Sequence, residues 1–301
     1  MLVQRIITAL ILASLVIVAI FQLPTIYFSL FIAVVTLLGA WEWLALTGVE
    51  SIKSKLVFMV SLILPMLGVT FWTVFLEYLG ETMEWPEVKE YSDALEWFVI
   101  VPVLFWILTM LLIRGAGSQL ITMEFKPKLK AFIGWLVLVS AWMFLSKLRA
   151  YYGVEMILYF LILIWFADIS AYFVGKKWGK DKLAAEISPG KTLQGMYGAL
   201  ASAVVSGIGL RIYYGLSPLQ GGDSELAILM AFDMVVLSVL TVLISIYGDL
   251  FFSLVKRQKG VKDSGRLLPG HGGILDRVDS IIAAAPFFYA GIVLIGRSIF
   301  A

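Results

Sequence analysis

Apolar residues run along this chain in long stretches separated by short polar connections. A helix needs about 20 apolar residues to cross a bilayer, and nine stretches predict such helices. They lie at roughly 6–22, 25–47, 56–79, 98–113, 131–147, 153–175, 193–214, 226–249 and 280–300. The first ends in Gln22-Leu23-Pro24 rather than at a small-residue cleavage site, so it reads as a retained helix and not a signal peptide. Pro65, Pro102 and Pro286 are expected to kink their helices. The fold class expected is all-α: a polytopic integral membrane protein of about nine transmembrane helices. Residues 1–150 form an N-terminal multi-span region. Residues 151–301 are expected to form a C-terminal multi-span region with polar loops at 176–192 and 250–279, the candidate site for any chemistry.

Composition settles the solvent. Of 301 residues, 61% are apolar and 15% charged, with a mean hydropathy of +0.95. Soluble domains are about 45–50% apolar and about 25% charged. No water-soluble interior of this chain length holds so much apolar sequence, which excludes a soluble enzyme, a disordered chain and a fibrous repeat. Cysteine is absent and His271 is the single histidine. Disulfides, thiolate metal sites, cysteine nucleophiles and multi-histidine zinc sites are therefore excluded.

The net charge of +2 says little, but its distribution is informative. Residues 80–97 hold Glu81, Glu84, Glu87, Glu90, Asp93 and Glu96 against one Lys89. Residues 114–130 hold Arg114, Lys126, Lys128 and Lys130 against one Glu124. With the N-terminus and the connections after spans 2, 4, 6 and 8 on one side, that side carries 18 of the 23 Lys and Arg residues. The positive-inside rule then puts the N-terminus in the cytoplasm and the C-terminus outside. Without segments 176–191 and 256–277 the split is still seven to five in the same direction.

The richest segment follows span 8. From Tyr247 to Asp279 it holds six Lys and Arg, four aspartates and six glycines. Gly265, Gly270, Gly272 and Gly273 permit close backbone approach and left-handed conformations, and successive N–H groups in such loops can form anion nests. Lys256, Arg257, Lys262 and Arg277 offer charge-assisted bonds to phosphate. Asp249 stands at the C-terminal end of span 8, where the helix dipole favours a cation. Asp276 and Asp279 stand at the start of span 9. Separated aspartates suit Mg2+, which takes a few carboxylates together with substrate phosphates. A solvated loop made basic by topology would explain the lysines, but not four aspartates and the run Pro269-Gly270-His271-Gly272-Gly273.

Ser253–Asp279 resembles, position for position, the signature of the phosphatidate cytidylyltransferases, also called CDP-diacylglycerol synthases. That signature reads Ser-x-apolar-Lys-Arg, four residues, Lys-Asp-x-small, two residues, apolar-Pro-x-His-Gly-Gly-apolar-x-Asp-Arg-apolar-Asp. A second block of that family resembles Asp168-Ile169-Ser170-Ala171-Tyr172, then Gly175, then Ser188-Pro189-Gly190-Lys191-Thr192. One position departs: the family usually has Glu where this chain has Gln194 before Gly195. Asp168 lies about 10 Å deep in span 6, seven residues from its end, and an intramembrane acid is a functional candidate unless a lysine pairs with it. Tyr172 can share its face. The Ser-Pro-Gly-Lys run superficially looks like a P-loop, but lacks the preceding strand and the first glycine. It is read as a turn leading into a helix N-terminus, a plausible phosphate cradle.

The resemblance implies the reaction of CTP with phosphatidate to give CDP-diacylglycerol and pyrophosphate. The expected catalytic residues are Asp249, Asp276, Lys256, Arg257, Lys262, Asp263, His271, Arg277 and Asp279. Those expected to bind substrate are Asp168, Tyr172, Ser188, Lys191, Thr192, Gln194, Ser253, Gly272 and Gly273. Mg2+ would be held by Asp249 and Asp276, with Asp279 and Asp168 as further candidates and a monovalent cation as an optional companion. CTP, phosphatidate and membrane lipid are the partners, a homodimer is allowed, and nucleic acid is not expected. The site would face the cytoplasm from the inner, plasma membrane. The rivals are a CTP-dependent polyprenol or phytol kinase, an ether-lipid CDP synthase, and a transporter of an anionic lipid or nucleotide. Glu42, between Trp41 and Trp43, is read as structural first, and Asp233 as a packing or interfacial acid.

Overall fold

The computed structural model describes residues 2–83, 94–215 and 224–300. The order is α1 (Leu2–Gln22), α2 (Thr25–Thr47), α3 (Ile52–Thr82), a 3-10 turn (Ala94–Val99), α4 (Ile100–Thr122) and α5 (Pro127–Trp178). A two-stranded hairpin follows, β1 (Lys182–Ala184) and β2 (Ser188–Thr192), then α6 (Leu193–Gly215), α7 (Ser224–Gln258) and α8 (Leu275–Phe300). The acidic residues Glu84, Glu87, Glu90 and Asp93 lie outside the described residues.

Among the described residues, seven helices are long and apolar enough to cross a membrane, and Ile7–Gln22 is a shorter apolar helix. Large apolar side chains face outward: Phe71 is 68% exposed and Leu64 62%. Such a surface is unfavourable in water and favourable against lipid tails. The chain is an all-α integral membrane protein.

At 52 residues, α5 is far longer than a bilayer requires. A straight helix would hold Lys130 and Gly175 about 68 Å apart. Contacts tie the two together instead. Trp43 donates its indole N–H to the Lys130 carbonyl at 3.0 Å and packs on Phe252 at 5.8 Å. One turn away Asp249 meets Lys191 at 2.7 Å, and Thr192 lies against Gly175. The helix therefore doubles back, and the break is Gly153 with φ 78° and ψ −169°, a conformation essentially restricted to glycine. It falls where the hydropathy pattern separates 131–147 from 153–175.

The first arm of α5 runs antiparallel to α2. Ser29 bonds Ser146 at 2.8 Å at one end, and Trp43 bonds Lys130 at the other. Pro65 and Pro286 lie inside α3 and α8. Pro102 does not kink α4. It sits in the first turn, where backbone N–H groups have no intrahelical partner to lose. The break in α4 is at Ala116 (φ −141°, ψ 27°), between Gly115 and Gly117.

Two apolar clusters fill the bundle. One gathers Phe144, Phe160, Phe288 and Tyr289 between α5 and α8. The other stacks Trp43, Phe105, Trp106, Phe251 and Phe252 from α2, α4 and α7. This aromatic floor lies directly beneath the polar loops. Gly248 lets α7 and α8 touch there, since a Cβ on it would run into Ala283. That contact brings Asp249 beside the first turns of α8.

Candidate active site

The loop 259–274 is closed by carboxylates. The Ser264 N–H donates to Asp276 Oδ2 at 2.8 Å, and the Gly273 N–H donates to the same oxygen at 3.0 Å. Lys256 Nζ bonds Asp276 Oδ1 at 2.6 Å. From α2, Glu42 accepts the N–H of Ile274 at 3.0 Å and of Leu275 at 2.9 Å. The Ser264 hydroxyl lies 2.9 Å from Glu42 and 3.0 Å from Asp276, and its proton serves one of them at a time. The N–H groups of Gly273, Ile274 and Leu275 are the orphan donors at the start of α8. Two carboxylates of the chain itself occupy this anion-attracting helix end.

Glu42 is 3% exposed and was not among the expected site residues. Its signal in the sequence is a lone acid inside an apolar span. The partners are backbone amides and a serine hydroxyl, not a lysine.

Beside this clasp runs a charged cleft. Lys191 Nζ pairs with Asp249 Oδ2 at 2.7 Å and donates to the Ile246 carbonyl at 3.2 Å. Asp249 Oδ1 accepts from Ser253 at 3.3 Å. The charges of Asp168, Lys191, Asp249, Lys256 and Asp279 act on one another. Asp279 is buried, and its Oδ1 accepts the Ser280 N–H at 2.8 Å. The structure thus joins the two sequence blocks, with Asp168 and Lys191 from one and Asp249, Lys256 and Asp279 from the other.

The remaining expected residues divide by position. Lys262 and Asp263 are exposed on the loop, and Arg277, exposed in the first turn of α8, folds back with Nε and a terminal nitrogen on the His271 carbonyl at 3.2 and 3.0 Å. His271 Nδ1 is buried without a hydrogen-bond partner. Arg257 donates to the carbonyls of Ile187 and Val261, at 3.3 and 3.1 Å. Gly272 has φ 83° and packs on Asp263, which suits a tight turn. Gly273 packs against Glu42 and Ser264, which leave no room for a side chain there. Tyr172 is 61% exposed and lies under Lys176 at 5.6 Å.

The Ser188–Thr192 run, expected as a turn into a helix, is strand β2, and the helix starts only at Leu193. β1 pairs with it antiparallel, Lys182 opposite Thr192 and Ala184 opposite Ser188, with one irregularity between. The hairpin tip, Ile187, is 1% exposed and inserts into the aromatic floor, which draws the hairpin down onto the bundle. Thr192 Oγ1 accepts the Gly195 N–H at 3.1 Å.

Among the described residues, no three carboxylate or imidazole groups converge closely enough to hold a metal alone. Asp249 fits a metal shared with substrate phosphate, since its side chain is 29% exposed and its partner lysine can release it. Asp276 fits poorly: its side chain is 5% exposed and both oxygens already carry donors.

Comparison with known proteins places these residues in a family. A family model described as "Cytidylyltransferase family" matches residues 3–295. The chain is 36% identical over 296 residues to the phosphatidate cytidylyltransferase of Haemophilus influenzae, covering 96% of this chain and 97% of that protein. It is 35% identical over 291 residues to that of Pseudomonas aeruginosa, covering 96% of each. The Bacillus subtilis protein of the same name is 41% identical over 141 residues, 46% of this chain and 47% of its own length. A model matching nearly every residue, and two full-length relatives above 30% identity, make this chain a member of the cytidylyltransferase family.

Proposed function

We propose that the chain condenses CTP with phosphatidate, giving CDP-diacylglycerol and pyrophosphate. The observation that carries this reading is the likeness to two phosphatidate cytidylyltransferases along 96% of the chain. The charged cleft supports it. A phosphate oxygen of the lipid attacks the α-phosphorus of CTP, forming one P–O bond as the bond to the β-phosphate oxygen breaks. That oxygen is already largely ionised, so no strong base is required. The chain's task is positioning and charge neutralisation.

Lys191 and Lys256 stand where phosphate charge would gather, each held by one carboxylate until substrate arrives. Asp249 would hold Mg2+ together with phosphate oxygens, with Asp279 and Asp168 within electrostatic reach of it. Mg2+ bound there would draw electron density from the α-phosphate and neutralise the departing pyrophosphate. Asp276 serves instead as a clasp, fixing Lys256 and the loop. The lipid enters sideways between helices, with its phosphate at interface depth and the site open to the cytoplasm of the plasma membrane.

Purified chain in detergent, given phosphatidate and CTP labelled at the α-phosphorus, should place the label in extractable lipid and release one pyrophosphate per lipid formed. Excess EDTA should abolish it. Release of CDP with unlabelled lipid would identify a lipid kinase instead, and activity persisting in EDTA would remove the metal.

A further inference from the structure

We propose that Gln194 is a positioning residue that clamps the β1–β2 hairpin so that Lys191 reaches Asp249. Its amide is used on both sides. Oε1 accepts the backbone N–H of Lys180 at 3.0 Å and of Asp181 at 3.2 Å. Nε2 donates to Asp181 Oδ2 at 2.8 Å. The Leu193 N–H adds a bond to the Asp181 carbonyl at 2.9 Å. These four bonds tie the entry of β1 to the first turn of α6, where β2 ends.

The hairpin is then pinned at two places. Its tip is held by Ile187 in the aromatic floor and by Arg257 on the Ile187 carbonyl. Its base is held by Gln194. Lys191 lies on β2 between them, opposite the strand that Gln194 anchors. The two cleft distances of Lys191, 2.7 Å to Asp249 and 3.2 Å to the Ile246 carbonyl, therefore depend on where the base is fixed.

An amide is the group that this place requires. It must accept from two N–H donors with one end and donate to a carboxylate with the other. A carboxylate of the same shape would accept at Oε1 equally well, but its second oxygen would face Asp181 Oδ2 at contact distance. Like charges there repel, and the Lys180–Asp181 turn would swing out. The pairing of Gln194 with Asp181 is thus a matched choice. A glutamate at 194 would require a donor at 181.

The proposal rests on the cytidylyl-transfer reading, whose own failure would show as an inactive wild-type chain. The test is a charge-swap cycle in the full-length protein, with cytidylyl transfer measured at varied CTP and varied phosphatidate. Gln194→Glu should raise the KM for CTP or lower kcat by about tenfold or more, as small displacements of a charged group do. The KM for phosphatidate should move less. Asp181→Asn should stay near wild type, because Asn still accepts from Gln194. Gln194→Glu combined with Asp181→Asn should return to within about threefold of wild type, because the bond is restored with its polarity reversed. Amide hydrogen exchange across 180–192 should quicken in Gln194→Glu and recover in the double variant. Wild-type kinetics in Gln194→Glu would overturn the proposal. So would a double variant no better than Gln194→Glu.

Discussion

Glu42 and Asp276 each satisfy several donors at once, and this decides how their variants behave. Asp276→Asn would be harmless if the residue only capped α8, since Asn caps about as well as Asp. Here either orientation of the amide fails. Its NH2 faces the Lys256 ammonium in one and the N–H groups of Ser264 and Gly273 in the other. Leaving a buried donor unmatched costs about 1–3 kcal/mol. Asp276→Asn should therefore lower the thermal midpoint as well as turnover. Asp249→Asn should differ. Asp249 keeps an acceptor for Ser253, is partly exposed, and should retain its melting temperature while losing about 100-fold or more in turnover, about 2.7 kcal/mol. Normal turnover in folded Asp249→Asn protein would remove that residue from the chemistry. Glu42→Gln should resemble Asp276→Asn, since its Nε2 would face the Leu275 N–H or the Ile274 N–H. A melting curve and a turnover assay on each variant separate the two classes.

Among the helices, backbone conformation and close approach decide more than propensity. α5 folds back through one residue, Gly153, whose φ of 78° and ψ of −169° are open to glycine and strained for any other residue by about 1–3 kcal/mol. Nothing stands within 4 Å of a Cβ there, so the strain in Gly153→Ala is purely conformational. Its expected loss of thermal stability should appear without loss of activity in molecules still folded. Gly248→Val is the opposite case. Its side chain collides with Ala283 and parts α7 from α8 beside Asp249. Overpacking costs about 1–3 kcal/mol, and activity should fall with stability. Equal activity losses in the two variants, measured on folded fractions, would contradict this distinction.

Across the whole molecule, polar chemistry gathers at one end of the bundle. Lys130, Glu42, the 259–274 loop, the hairpin and the cleft all lie there, while Gly153 lies at the other end. With the 18-to-5 charge split, we propose nine crossings with the N-terminus in and the C-terminus out. The chain has no cysteine, so single cysteines report cleanly. Ser264 is buried in the clasp and would be a poor probe, whereas Lys259 and Ala150 are exposed. Lys259→Cys should react with an impermeant maleimide only from the cytoplasmic side, and Ala150→Cys only from outside. The reverse labelling would invert the topology.

Local hydropathy was enough to determine the solvent, the helical class and most helix positions, because burying a stretch of chain in lipid depends on that stretch alone. It separated 131–147 from 153–175, although one 52-residue helix carries both. The motif spacing likewise marked Lys256, Asp276 and Asp279, and the end of span 8 marked Asp249, all on two helices joined by one loop. Tertiary structure decided what each group does. Glu42 meets Ser264 across 222 positions, and nothing near Trp41 or Trp43 in the sequence reveals that partner. Gln194, a departure from the usual Glu of the resembled family, faces Asp181 and completes a clamp. Asp276, read as a metal ligand, has both oxygens filled, and Ser188–Thr192, read as a turn, is a strand. The physical reason is the same in each case. A carboxylate or an amide can serve a metal, a substrate or the chain's own N–H groups, and only the fold fixes which of these lies within about 3 Å of it.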